Sequence, residues 1–210
     1  MKPLPDLDFE RTLILRGFSS VIGCDEVGRG SLAGPVTTCL VHWTPAISDW
    51  PSDLRDSKLV PEKRRQSLAE ELRQIFPKFA FGSNSAKNID KYGIQKSLAL
   101  AVLDGLSSLS SQGVDMTNAV VLLDGTHDFV TPYLSQNLPI ITRSKADERC
   151  VSVAAASVMA KAQRDTEMKE HHLLHPQYGF ASNKGYGSPA HRQAIEKYGL
   201  TELHRVTWIR

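Results

Sequence analysis

The sequence predicts an α/β protein, a β-sheet with helices packed on it, on three observations. Short apolar, β-prone runs cluster early in the chain, stretches at helical spacing alternate with further runs later, and acids stand at the ends of several runs. Strands interleaved with helices must bury both kinds of apolar face against each other, which gives layered α/β folds. The 210 residues suffice for one large domain, which buries about 70% of the surface its unfolded chain exposes. No repeat, low-complexity segment or long Pro/Gly/Ser linker divides the chain, so residues 1–210 read as a single domain.

The elements follow in order. Ser19 to Asp25 reads as a short buried strand ending in an acid. A glycine-rich connection, Gly28 to Gly34, then leads into a second apolar stretch, Pro35 to Trp43. Two strands around such a connection suggest a hairpin or a wide turn. Pro61 opens a helix with Leu68, Leu72, Ile75 and Phe76 at helical spacing and Pro77 as the stop. Phe79 to Phe81 reads as a third strand. Asn88 to Leu109, with Ile94, Leu98, Ala101, Val102 and Leu106 on one face, reads as one long amphipathic helix. Asn118 to Leu123 is a β-prone run closing on Asp124-Gly125, and Pro139 to Thr142 is a shorter one. Val151 to Met168 is alanine-rich and helical, its small residues Ala154, Ala155, Ala156 and Ala160 suited to close packing on a sheet. Ser188 as N-cap, Pro189 at N1 and Gly199 as stop bracket a last helix, Ala190 to Tyr198.

Composition narrows the class. With 41% hydrophobic and 23% charged residues the chain is neither collagen-like nor disordered. Cys24, Cys39 and Cys150 are scattered without a C-x-x-C pair, which argues for free thiols in a reducing compartment and against a zinc ribbon. No apolar run approaches the roughly 18 residues of a membrane span. Met1 to Glu10 is acidic and proline-bearing, unlike a secretory signal, so a cytoplasmic location is expected. The formal charge of +2 hides an asymmetry: residues 143–210 carry 11 Lys and Arg against 7 Asp and Glu, a net of +4. That bias is compatible with a polyanionic partner.

The acids carry the chemistry. Asp25 and Asp124 each end an apolar run, where burying a lone carboxylate costs several kcal/mol. Asp147 follows a third run after a polar spacer. Adjacent parallel strands bring such ends together at one edge, where open α/β sheets place their sites. Carboxylates gathered there repel one another unless a hard divalent cation, Mg²⁺ or Mn²⁺, lies between them. Glu26 is less simple, because successive strand side chains face opposite ways. Either the strand ends at Asp25 or a bulge re-aims Glu26, and Gly28 favours the first. Singly, Asp124-Gly125 is an ordinary turn signal and Asp147 a cap for the helix starting near Cys150. His171-His172 and His175 read as a solvated helix end rather than a zinc site.

Taken together these residues resemble a known family. Gly23-Cys24-Asp25-Glu26-Val27-Gly28-Arg29-Gly30, continuing to Val36, is similar to the signature of type 2 ribonucleases H, bacterial ribonuclease HII in particular. Asp56-Ser57-Lys58-Leu59, Leu123-Asp124-Gly125, Lys145-Ala146-Asp147, the helix Ala154 to Asp165, His175 to Phe180 and Lys184-Gly185-Tyr186 resemble further family segments, in family order. Three departures stand out: Cys24 for an aliphatic residue, Ser31 for the common proline and Ala146 for glycine. The resemblance implies a ribonuclease H-like α/β fold, a mixed central β-sheet flanked by helices, with a C-terminal helical, substrate-side segment from about residue 170 to 210. No further N-terminal domain, as in the ribonuclease HIII type, and no clamp-binding tail are evident, and a monomer is expected.

The activity implied is metal-dependent hydrolysis of the RNA strand of RNA–DNA hybrids, and cutting 5′ of single ribonucleotides embedded in duplex DNA, with 3′-hydroxyl and 5′-phosphate products. By resemblance, Asp25, Glu26, Asp124 and Asp147 hold two divalent ions, Mg²⁺ or Mn²⁺. Gly28, Arg29 and Gly30 form the loop that senses the ribose 2′-hydroxyl, Arg29 either gripping a phosphate or bracing the loop through a carboxylate. Tyr186 packs on the neighbouring sugar, and Lys58 and Lys184 contact phosphates. Another two-metal nuclease of the same fold, such as a resolvase or integrase, and a non-catalytic nucleic-acid-binding protein are the rival classes.

Overall fold

The computed structural model describes residues 4–209, so Met1 to Pro3 and Arg210, which the sequence reading includes in its one domain, lie outside the described residues. Five strands form one sheet in the order β3-β2-β1-β4-β5: β1 (Ser20–Val27), β2 (Val36–Trp43), β3 (Phe79–Asn84), β4 (Ala119–Asp124) and β5 (Ile140–Arg143). The first three strands pair antiparallel and β4 and β5 add on parallel, making the sheet mixed. The glycine-rich stretch joins β1 and β2 as a hairpin, the first of the two expected alternatives, with the antiparallel ladder closing at Val27↔Thr37.

Helices cover both faces, because alternate residues of each strand are apolar to opposite sides. Val21, Cys39, Val41 and Trp43 face a core formed with α2 (Glu62–Ile75) and α6 (Val151–Leu174). Ile22, Cys24, Leu40 and Val121 face a second core formed with α3 (Ala86–Tyr92) and α4 (Ile94–Ser111). Alanine, the best helix former, also lets α6 lie close on the sheet. A Cβ on Gly23 would fall 2.4 Å from the Ser152 carbonyl carbon, so β1 and α6 touch backbone to side-chain-free backbone. A third cluster joins Leu32 and Ala33 to Tyr178, Phe180 and α8 (Pro189–Tyr198). The three cysteines are free and buried.

Several expectations need correction. The strand does not end at Asp25: its parallel ladder with β4 stops at Cys24↔Leu123, but its antiparallel ladder with β2 runs on through Asp25↔Cys39, Glu26↔Thr38 and Val27↔Thr37. One edge of β1 is therefore bare where the acids stand. The long helix from Asn88 is two helices, broken at Gly93, whose φ of 78° and ψ of 163° take the chain out of the helical region. The third strand continues to Asn84, and α6 continues past Met168 to Leu174. Helix α1 (Asp8–Leu15), not foreseen, packs Leu13 into the core. Its Glu10 carboxylate accepts from the N–H and hydroxyl of Ser152, capping α6 from outside the helix at 2.9 and 2.8 Å. Asp147 does not cap α6; it lies inside a separate turn of helix, α5 (Ala146–Arg149).

Candidate active site

The register Cys24↔Leu123 puts Asp25 and Asp124 side by side, one residue further along two parallel strands. The Asp124 carboxylate accepts from the Ala146 N–H at 2.7 Å, with the Asp147 N–H further off at 3.5 Å. A strand-end acid thus anchors the start of α5 and brings Asp147 beside it. Lys145, at φ 59°, makes the left-handed turn into that helix. Ala146, already helical, therefore substitutes for the family's glycine without strain.

Asp25, Glu26 and Asp124 line one cavity of about 250 Å³, together with Gly28, Arg29, Gly30, Lys58 and Tyr186. Asp25 and Glu26 both line it although they are consecutive residues of one strand, whose edge towards β4 is unpaired there. Asp147 does not line the cavity but joins the same electrostatic group. Its Oδ2 lies 3.4 Å from the Lys58 ammonium, which is also 3.7 Å from Asp56.

The acids disfavour one another's ionisation. Burial, then the charges of Glu26, Asp124 and Asp147, hold the Asp25 carboxyl well above its ordinary range, against an opposing hydrogen bond from Ser157. Burial also raises Glu26, which Arg29 offsets, and Asp124 adds to the rise. Burial, Asp124 and Asp56 raise Asp147, with Lys58 opposing. For Lys58 itself, burial pulls the ammonium down, but Asp56, Asp147 and Asp25 outweigh it and its pKa is raised. Arg29 donates to Glu26 at 3.1 Å, the internal carboxylate pair that one of its two anticipated roles requires. Among the described residues no group of three or more His, Cys, Asp or Glu side chains forms a ready-made ion cage. The donor set is nevertheless all carboxylate oxygen, strained by like charge, which fits Mg²⁺ or Mn²⁺ rather than zinc.

Lys184 does not join the other predicted contacts: it is buried, and its ammonium donates to Glu62 at 3.2 Å and to the Ala181 carbonyl. Sequence reasoning left Ser157 and Lys161 without a role, although both line the cavity. Their spacing of four on α6 was the available signal, since such residues share a helix face. Asp165 pairs with both Lys161 and Arg65, the latter at 3.1 Å. Ser31 donates its N–H to Gly28 at 3.2 Å, a bond proline cannot make.

The profile of the family described as Ribonuclease HII matches residues 22–210. The ribonuclease HII of Streptomyces avermitilis is 42% identical over 205 residues, covering 97% of this chain and 83% of that one. The ribonuclease HII of Streptomyces coelicolor is 41% identical over 205 residues, with 97% and 83% covered. Among solved structures, the ribonuclease H2 of Pyrococcus horikoshii OT3 superposes with a TM-score of 0.71 at 24% identity, covering 90% of this chain and 93% of that one; the fold is shared.

Proposed function

The chain belongs to the ribonuclease HII family, endonucleases that hydrolyse the RNA of RNA–DNA hybrids, and from that premise we propose that it also cuts 5′ of single ribonucleotides embedded in duplex DNA. The products are a 3′-hydroxyl and a 5′-phosphate. The observation that carries this reading is the single cavity on which Asp25, Glu26, Asp124, the Gly28–Gly30 loop and Tyr186 all open, with Asp147 held beside Asp124 by the turn of helix that Asp124 anchors.

Asp25, Glu26, Asp124 and Asp147 would hold two divalent ions, Mg²⁺ or Mn²⁺. Bound ions of this kind supply an activated water and offset the charge that builds on the phosphate in the transition state. The protein's own groups do the rest. Asp124 fixes Asp147 by anchoring α5. Arg29 holds Glu26 in place and opposes the rise that burial gives its carboxyl. Lys58, exposed beside two acids, offers its ammonium to a backbone phosphate. Gly28 and Gly30, without side chains, let main-chain groups reach the ribose 2′-hydroxyl, which alone distinguishes RNA from DNA at that site. Tyr186, 42% exposed over Gly30, packs its ring on the adjoining sugar. Residues 1–210 act as one catalytic domain, with 170–210 on the substrate side. A cytoplasmic setting agrees with three free thiols, and among the described residues no helix is long and apolar enough to cross a membrane.

The test uses end-labelled duplex DNA with one ribonucleotide, a continuous RNA–DNA hybrid and an all-DNA duplex, each with Mg²⁺, Mn²⁺ or EDTA. Cleavage of the first two with metal, and of none in EDTA, is expected. Cleavage of the hybrid without the single-ribonucleotide duplex, or equal cutting of the all-DNA duplex, would overturn the reading.

A further inference from the structure

Two adjacent residues near the end of the chain, His204 and Arg205, reach back to both parts of the cavity's substrate side without lining it. Arg205 is fully buried. Its guanidinium donates to main-chain carbonyls only: Gly28 at 2.6 Å, Arg29 at 2.8 Å, Gly34 at 3.1 Å and Pro35 at 3.2 Å. Among the described residues no carboxylate forms an ion pair with it. A buried charge is costly unless dipoles satisfy it, and here the loop's carbonyls supply those dipoles, so guanidinium and loop conformation stabilise each other. Only a planar fork of five donors meets four carbonyls at once.

His204 reaches the other part. The Thr201 N–H, which can only donate, donates to His204 Nδ1 at 2.9 Å. That assigns the ring proton to Nε2, which faces His191 Nε2 at 3.2 Å. His191 must accept there, so its Nδ1–H donates to the Tyr186 carbonyl at 2.8 Å. The direction of the relay is fixed at both ends by backbone groups. The segment is itself held: Asp90 accepts from the N–H groups of Val206 and Thr207 at 2.9 and 3.1 Å, and Trp208 lies 4.9 Å beneath the guanidinium.

We propose that His204-Arg205 is a positioning element for catalysis: Arg205 sets the Gly28–Gly30 loop and His204, through His191, sets Tyr186, so one segment that touches no substrate keeps the two readers of the ribonucleotide in register. The proposal rests on the roles given above to that loop and to Tyr186.

A double-mutant cycle tests it. His204→Phe keeps a buried ring but cuts the relay. It should lower kcat/KM on single-ribonucleotide duplex about tenfold in the otherwise unchanged protein, and less than about twofold in the Tyr186→Ala background, because coupled residues are non-additive. Arg205→Lys keeps the charge and loses the fork. It should cost about tenfold in both backgrounds, acting through the loop instead. Thermal unfolding and circular dichroism confirm that each variant is folded, and if one is not, the other carries the test. Equal losses for His204→Phe in both backgrounds, or full activity of folded Arg205→Lys, would overturn the positioning role while leaving the proposed activity standing. Failure of the unaltered protein to cut at single ribonucleotides would instead sink the underlying reading, and this one with it.

Discussion

At the scale of single residues, the acids are a cost that the fold accepts. Asp25, Glu26 and Asp147 all titrate above their ordinary ranges in the folded chain. A folded acid with a raised pKa binds more protons than the unfolded one. Its penalty is therefore fully present above the folded pKa and fades as pH falls towards the ordinary value of about 4. Asp25→Asn should accordingly raise the Tm of the protein in EDTA at neutral pH by about 2–4 °C, roughly 1 kcal/mol, with the gain vanishing near pH 4. Differential scanning calorimetry at both pH values checks this, and a lowered Tm at neutral pH contradicts it. Tyr186 makes a different prediction. Its ring is placed for one sugar, so Tyr186→Ala should reduce cleavage of single-ribonucleotide duplex about tenfold more than cleavage of a continuous hybrid, where other contacts share the task. A uniform loss on both substrates removes its reading role.

At the scale of elements, the sequence was readable where local chemistry decides and misleading where neighbours do. The Ser188 hydroxyl accepts from the His191 N–H, with Pro189 first in the helix, as the capping signal promised. The apolar periodicity around Gly93 was equally real, but the glycine breaks the helix because a left-handed φ costs it little. The end of β1 could not be read at all: which edge of a strand is paired depends on β2 and β4, distant in sequence. Helix α1 starts after Leu7, an apolar N-cap residue that offers no side-chain cap to announce it. The contact of β1 with α6 yields a prediction of its own. Gly23→Ala would drive a methyl into the Ser152 backbone. It should destabilise the protein by about 2–3 kcal/mol and displace Asp25, two residues on. Chemical denaturation with an unchanged midpoint would show that α6 does not rest there.

At the scale of the whole molecule, Asp25 and Asp124 were legible because adjacent parallel strands bring equivalent positions together, whereas the residues that shape the loop were not. Arg205 meets Gly28 across 177 positions, and nothing in either local sequence signals the contact. The His191–His204 pair adds a pH dependence to that closure. Burial and the facing His191 hold His204 down to about 4, and burial lowers His191, with Arg192, His175 and Glu202 the other charged groups around them. Folded imidazoles with depressed pKa values bind fewer protons than unfolded ones. Their stabilisation is complete above the ordinary 6.5 and is lost as pH falls towards 4. Hydrogen-exchange protection of residues 200–209 should therefore fall about tenfold between pH 7 and pH 5 while α6 stays protected; unchanged protection contradicts this. The central claim, that four acids from three elements form one cation-dependent cutting site, is tested most directly by single-turnover cleavage with Asp25→Asn, Glu26→Gln, Asp124→Asn and Asp147→Asn in saturating Mn²⁺. Each folded variant should bind the ribonucleotide-containing duplex yet cut it about a thousandfold more slowly, and any one of them cutting at the unaltered rate would contradict the claim.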